Sequence, residues 1–344
     1  VELRFTKYDL QFRHPFSIAA GTRNSTPVVY TALTHDGHTG YGEAALPPYL
    51  PETQDSVIAF LKKINTDWIS HPLRIRETAE YINQISEGNF SAKAAVDMAV
   101  HDLYGKINRI PTHQLWAGEQ MKMPLNSFTI GMDKPAVLAD KLKEAKDFEL
   151  LKVKLGGPYD NLIIKTLRSG TNKPICVDAN QGWKDEQFAL DMIGWLAEQG
   201  VVFVEQPLPK TEKKKMAWLR DKSPLPLIGD ESVQVYEDLD EAAHLFHGIN
   251  VKLMKCGGLS EAFRMIMKAK DLGLKILIGC MSESSCGVSA AAQLGHFADW
   301  TDLDGPLLIT NDPFSGIGYK NGRIVLPAGP GNGVEKLPDL SLVF

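Results

Sequence analysis

The chain has 344 residues, of which 44% are hydrophobic and 23% charged, ordinary values for a soluble enzyme with one barrel-sized unit and a smaller one. Its formal net charge of −5 gives no electrostatic reason to expect nucleic acid, and no apolar run approaches the ~20 residues of a membrane span. The opening VELRFTKYDL lacks the apolar core of a secretion signal, so a cytoplasmic location with no membrane partner is expected, and a homo-oligomer is left open.

In chain order, VELRFTKYDL and TPVVYTALTHDG alternate as antiparallel strands do, and HPFSIAAGTRNS between them reads as a mobile, glycine-containing loop. Pro47, Pro48 and Pro51 stiffen a second loop and bar it from any central strand. Apolar residues at intervals of three and four then predict helices over 55–65, 75–87 and 91–107. Together these make an α+β cap, expected over 1–120.

Short apolar runs follow at a period of roughly 25 residues, which suits one strand, one helix and two loops. Strands are predicted at 125–130, 150–154, 175–178, 202–205, 225–229, 249–253, 275–279 and 300–303. The stretches between them, such as EQFALDMIGWLAEQG and LSEAFRMIMKAKDLG, end in glycine as helices do. A (β/α) barrel over 121–315 brings every strand end to one rim. The tail, 316–344, contains a hairpin in YKNGRIVL and is expected to pack back on the cap. Its AGPGNG lacks the preceding strand, following helix and Lys-Ser/Thr of a phosphate loop.

The ionisable residues fall at those strand ends. Asp178 ends ICVDAN, Glu205 ends VVFVEQP and Asp230 ends PLIGDES. Three converging carboxylates suit Mg²⁺, which prefers hard oxygen ligands and keeps places for a substrate's oxygens. Lys152 and Lys154 in LLKVKLGG lie two apart and so face one way. With Lys252 in INVKLMKCGG they flank the acids. Lysines crowded against one another and a cation are expected to fall from about 10.4 toward neutrality, where an amine can act as a base. Lys255 is a rival to Lys252, but if the strand continues it points the other way. Asp302 and Asp304 in DWTDLDGP stand outside the triad and would face the mouth together, ready for a positive group. Glu283 in CMSESSCG reads either as a hydrogen-bond partner to the inner residues or as an ordinary cap. The four cysteines, Cys176, Cys256, Cys280 and Cys286, and the nine histidines show no disulfide or metal spacing.

This set resembles the enolase superfamily and, within it, the muconate-lactonising subgroup: K-x-K on the second barrel strand, acids on the third to fifth, a lysine on the sixth. AAVDMAVHDLYGKINRIP (94–111) and GYGEAALP (40–47) extend the resemblance to nearly the whole chain. It implies an α/β fold, a modified TIM barrel (β/α)7β with an N-terminal α+β capping domain completed by the C-terminal tail. Superfamily sites use a lysine or histidine base with Mg²⁺ stabilising an ene-diolate, a property of the superfamily at large.

In dipeptide epimerases of the subgroup a D-x-D on the eighth strand binds the substrate's α-ammonium group, and this chain is similar to them. The resemblance implies Mg²⁺ on Asp178, Glu205 and Asp230, and Lys154 and Lys252 as the acid/base pair. It places the dipeptide against Thr129, Lys152, Cys280, Met281, Ser282, Asp302 and Asp304. The implied reaction is a 1,1-proton transfer at the α-carbon of the C-terminal residue of an Ala-X dipeptide. Members that select glutamate carry an arginine where Gly21 aligns here, with Arg23 two positions on. Ala19, Ala20 and Gly21 suggest room for a small or hydrophobic X. The alternatives are an o-succinylbenzoate synthase, an N-acylamino acid racemase or a cycloisomerase, and, outside enzymes, a non-catalytic barrel scaffold.

Overall fold

The structure, a computed structural model, describes residues 1–18, 21–69, 74–116, 122–338 and 342–344. Strands β1 (Glu2–Ile18), β2 (Gly21–His35) and β3 (His38–Ala45) form an antiparallel sheet in that order. The segment expected as a mobile loop is strand instead: β1 and β2 pair through Phe16↔Arg23, Ser17↔Thr22 and Ile18↔Gly21, past a register shift after Gln11. Of that segment's described side chains, His14, Pro15, Gly21, Thr22 and Asn24 are exposed and Arg23 and Ser25 intermediate, so no fully buried face among them imposed the alternation by which strands are recognised.

Helices α1 (Gln54–Leu61), α2 (Ile75–Ile85) and α3 (Phe90–Asn108) follow. One face of β2 carries Val29 and Leu33 against Ala95, Val96, Ala99 and Leu103 of α3, while Val28 and Tyr30 of the opposite face join the larger core with Ala94 and Met98. Helix α3 is thus buried on both sides, between the sheet and the barrel.

The barrel strands are β4 (Ser127–Ile130), β5 (Leu150–Lys154), β6 (Ile175–Asp178), β7 (Val201–Glu205), β8 (Leu227–Gly229), β9 (Gly248–Val251), β10 (Lys275–Gly279) and β11 (Trp300–Asp302). They pair in chain order as a parallel eight-stranded sheet, closed by the bridge Asn126↔Thr301. Outside run α4 (Pro135–Glu144), α5 (Asp160–Arg168), α6 (Glu186–Glu198), α7 (Lys213–Lys222), α8 (Leu239–Leu245), the single turn α9 (Leu253–Cys256), α10 (Leu259–Asp271) and α11 (Ser285–Ala292). Leu151, Val153, Val177 and Val204 face those helices within the main core. The alternate residues Leu150, Cys176, Phe203, Ile228 and Leu277 fill the barrel's lower interior as a separate apolar cluster, capped by the Phe203–Trp300 ring pair at 4.7 Å. Period-two alternation therefore delivers the next inward residues, Lys152, Lys154, Asp178 and Glu205, to the upper rim.

In the tail, β12 (Phe314–Ser315) pairs with β15 (Glu335–Lys336), and β13 (Gly318–Lys320) with β14 (Arg323–Val325). Asn321 and Gly322 between the latter pair both have positive φ, 50° and 65°, the conformation of a two-residue hairpin turn. The tail returns to the first third of the chain. Thr112 N donates to Gly331 O, Asn332 N donates to Asp102 Oδ1, and the Phe314 ring meets Tyr30 and Tyr41 edge-on. No helix among the described residues is long and apolar enough to cross a membrane.

Candidate active site

Register sets the rim. Lys154 lies level with Asp178, and Asp178 with Glu205, while Asp230 follows β8 directly. Ligand oxygens of Asp178, Glu205 and Asp230 lie within 4.8 Å of one another, and all three residues are buried, the first two completely. Each carboxylate has one oxygen held by a donor: Asn180 N to Asp178 Oδ1 (2.9 Å), Asn250 Nδ2 to Glu205 Oε1 (2.7 Å) and Lys255 Nζ to Asp230 Oδ1 (2.6 Å). The other oxygens face lysine: Lys154 Nζ to Asp178 Oδ2 (2.6 Å), Lys152 Nζ to Glu205 Oε2 (2.7 Å) and Lys252 Nζ to Asp230 Oδ2 (2.7 Å). The Lys152–Glu205 contact is an ion pair whose angle falls short of a hydrogen bond.

This donor set fits Mg²⁺. It offers oxygens only, three negative charges, and a shell of amide and ammonium donors that fixes the carboxylates from behind. Burial and the nearby Asp178 push the Glu205 carboxyl up to about 7, the expected result of crowding acids away from water without enough positive charge. Burial also works against ionisation of Asp178, but Lys154 and Lys152 bring it down to about 2. Lys252 and Lys255 similarly hold Asp230 far below the usual range despite burial.

Without a cation, the acids set the direction for Lys152 and Lys252. Burial pushes Lys152 down, but Asp302, Glu205 and Asp178 outweigh it and hold the ammonium well above its ordinary value. Asp230 does the same for Lys252. Carboxylates within 3.2 Å prevail over the repulsion between lysines.

The condition attached to Lys255 is not met. The sixth strand stops at Val251, one residue before Lys252, and α9 turns the chain so that Lys255 comes back beneath Asp230. Its ammonium donates to Asp230 Oδ1, Asp230 O, Val233 O and Asn250 O. The opposite orientation required a continuing strand. Asn250 was missed as well, although it lies two positions before Lys252 and shares its face. A Cβ on Gly279 would meet Asn250 Oδ1 at 2.6 Å, so that glycine makes room for the amide holding Glu205.

The eighth-strand acids are both present but already engaged. Asp302 accepts from Lys152 Nζ (2.7 Å) and Ser127 Oγ (2.6 Å), and Asp304 accepts from Thr129 N (2.6 Å). Asp302 is therefore paired with a lysine, where the sequence reading left it open for a cationic group. Burial and Asp302 push Asp304 up to about 7.

These residues enclose one cavity of about 50 Å³, lined among others by Thr129, Lys152, Lys154, Lys252, Cys280, Met281, Ser282, Asp302 and Asp304. Arg23 reaches it from β2, with Nη2 donating to Ser282 Oγ (3.0 Å) and the guanidinium 5.3 Å from the Phe12 ring centre. Ala19 and Ala20 lie outside the described residues. A larger cavity, about 670 Å³ between α2, α3 and α10, has its charges Arg76–Glu80 and Arg264–Glu261 paired with each other and gathers no metal-type acids.

Comparison with known proteins agrees along the whole chain. The family described as enolase C-terminal domain-like matches residues 135–340, and the mandelate racemase / muconate lactonizing enzyme N-terminal domain matches 1–116. The chain is 47% identical over 338 residues to an L-Ala-D/L-Glu epimerase of Bacteroides thetaiotaomicron, covering 98% of this chain and 88% of the relative. A Cytophaga hutchinsonii dipeptide epimerase solved with Mg and D-Ala-L-Val superposes with a TM-score of 0.90 at 26% identity, covering 98% and 96%. An N-succinyl Arg/Lys racemase of Bacillus cereus superposes with 0.91 at 28%, covering 98% and 95%.

Proposed function

The chain belongs to the enolase superfamily, in its mandelate racemase / muconate lactonizing enzyme branch, and on that premise we propose that it is a Mg²⁺-dependent epimerase of Ala-X dipeptides. The observation that carries this reading is the placement of Lys154 and Lys252. They stand at the ends of the second and sixth of eight parallel strands, diametrically across the barrel, with the acid triad on the arc between them. Two amines facing one carbon from opposite sides is what inversion without a covalent intermediate requires.

Asp178, Glu205 and Asp230 hold the cation, which when bound neutralises charge developing on the substrate carboxylate and draws the acids' negative charge away from the lysines. Lys154 or Lys252 removes the α-proton, and the lysine across the barrel returns one to the other face. Lys152, pinned by Asp302, Glu205 and Asp178, stays protonated and attracts the carboxylate. Asp302 and Asp304 hold the α-ammonium group. Thr129, Cys280, Met281 and Ser282 form the adjoining wall.

The superposition with an N-succinyl amino acid racemase means the fold alone does not choose the substrate. The paired acids favour a dipeptide, because an acylated nitrogen is neutral and would bring no cation to the lone pairs that Lys152, Ser127 and Thr129 leave free. For X, the small residue Gly21 at the position where glutamate-selecting members carry arginine supports a small or hydrophobic side chain. A second reading, an acidic X, is favoured by the Arg23 guanidinium on the cavity wall. The test is incubation with Mg²⁺ and an Ala-X library in D₂O. Deuterium at the C-terminal α-carbon together with the other diastereomer is expected, and its absence from every dipeptide would count decisively against the proposal.

A further inference from the structure

Glu43 on β3 and Glu283 after β10 come from chain segments far apart and are both buried, at 0% and 1% exposure. A Cβ built on Gly287 would touch Glu283 Oε2 and lie 3.2 Å from Glu43 Oε2, so the two oxygens look onto one point at the seam between the N-terminal sheet and the barrel. Neither belongs to the metal triad or lines the substrate cavity.

Their surroundings differ. Glu43 accepts from Ser284 N (3.0 Å), Ser284 Oγ (2.5 Å) and Gly287 N (2.9 Å), three donors that favour a carboxylate. Glu283 accepts only from Met281 N (2.6 Å) through Oε1, and its buried Oε2 has no hydrogen-bond partner among the described residues. An anion would not be left so bare, whereas a protonated oxygen has a hydrogen to give toward Glu43.

We propose that Glu283 is a positioning residue, held as a neutral carboxylic acid beside ionised Glu43, and that this pair fixes the 281–282 segment against the N-terminal sheet. That segment is the cavity wall made by Met281 and Ser282, whose Oγ also receives Arg23. What the wall binds rests on the epimerase reading; the proton-sharing pair does not. Burial and mutual repulsion push both carboxyls up, so the pair retains a proton, and the three donors on Glu43 against the single donor on Glu283 leave that proton on Glu283. The other groups facing the pair are the Tyr30 hydroxyl from β2, the Cys280 thiol after β10, the Cys286 thiol from α11, Lys252 from the rim and Asp312, which accepts from Ser285.

Stability carried by a raised carboxyl is complete below its unfolded value and is lost as pH climbs through the folded one. With Mg²⁺ present, the wild-type unfolding midpoint is expected to fall from about pH 5 to about pH 9, and Glu283→Gln, which mimics the neutral acid, to flatten that fall visibly. Glu43→Gln turns an amide N–H toward donors and lowers the midpoint throughout. Glu283→Ala should raise KM for the preferred dipeptide about tenfold with kcat changed less than about threefold, and Glu283→Gln should restore KM. An unchanged pH slope in Glu283→Gln, or damage equal to that of Glu283→Ala, would overturn the proposal. If no dipeptide is turned over by the wild type, the unfolding profiles still decide whether the pair shares its proton, and only the epimerase reading fails.

Discussion

Lys255 Nζ lies 2.6 Å from Asp230 Oδ1 and 2.7 Å from the same residue's carbonyl oxygen, so one buried ammonium fixes both the side chain and the backbone of an acid whose other oxygen faces Lys252. The residue that holds Asp230 in place is thus distinct from Lys252, the residue proposed to move a proton.

Replacing Lys255 with Met removes a donor from four buried oxygens. Loss of unfolding free energy of about 2–4 kcal/mol is expected by denaturant titration, since breaking a buried ion pair strands its partner. Mg²⁺ affinity by calorimetry should weaken on the order of 10–100-fold, as when a group behind a metal ligand is lost.

Lys154→Gln and Lys252→Gln should each slow epimerisation by at least ~100-fold, because one face of the α-carbon loses its acid/base group. Each variant should still exchange the α-hydrogen of one diastereomer with D₂O, and the two variants should choose opposite diastereomers, as read by proton NMR. The same preference in both would place the lysines on one side of the carbon.

Mg²⁺ binding should strengthen with pH. The Glu205 carboxyl is raised to about 7 by burial and Asp178, so in the metal-free protein it contributes stability that is complete below the unfolded glutamate value near ~4.3 and disappears as pH rises through 7. A cation requires the deprotonated form, so affinity should climb between pH ~5 and ~8 with protons released on binding. A flat calorimetric profile over that window would contradict the assignment of Glu205 as a ligand.

Arg23→Met separates the two readings of X. If X is acidic, kcat/KM for Ala-Glu should drop by about 10–100-fold, the worth of a charge-assisted hydrogen bond, with little change for Ala-Val. If X is hydrophobic, Ala-Val should hold steady or improve.

Much of this architecture is legible without coordinates. Lys154, Asp178 and Glu205 stand at strand ends because period-two alternation and a β/α period are written directly in the chain, and the predicted 150–154 and 175–178 agree with β5 and β6. What escaped depends on geometry that periodicity does not encode. The turn of α9 returns Lys255 to Asp230, the described ends of β1 and β2 are largely exposed, and without a cation the closeness of the acids holds Lys152 and Lys252 up. Glu43 drew notice only as part of GYGEAALP, since nothing local in that motif reveals that it meets residue 283.

The apolar cluster in the lower barrel has a consequence for fidelity. On β5, Leu150 belongs to that plug while Lys152 and Lys154 stand above it on the same side of the same strand. A slip of one position in pairing would turn the lysines outward and at once pull the leucine from the plug, leaving Phe203 and Trp300 without their neighbour. Misaligned reactive groups are therefore coupled to a barrel that does not close, and folding itself acts as the inspection step for the chemistry above.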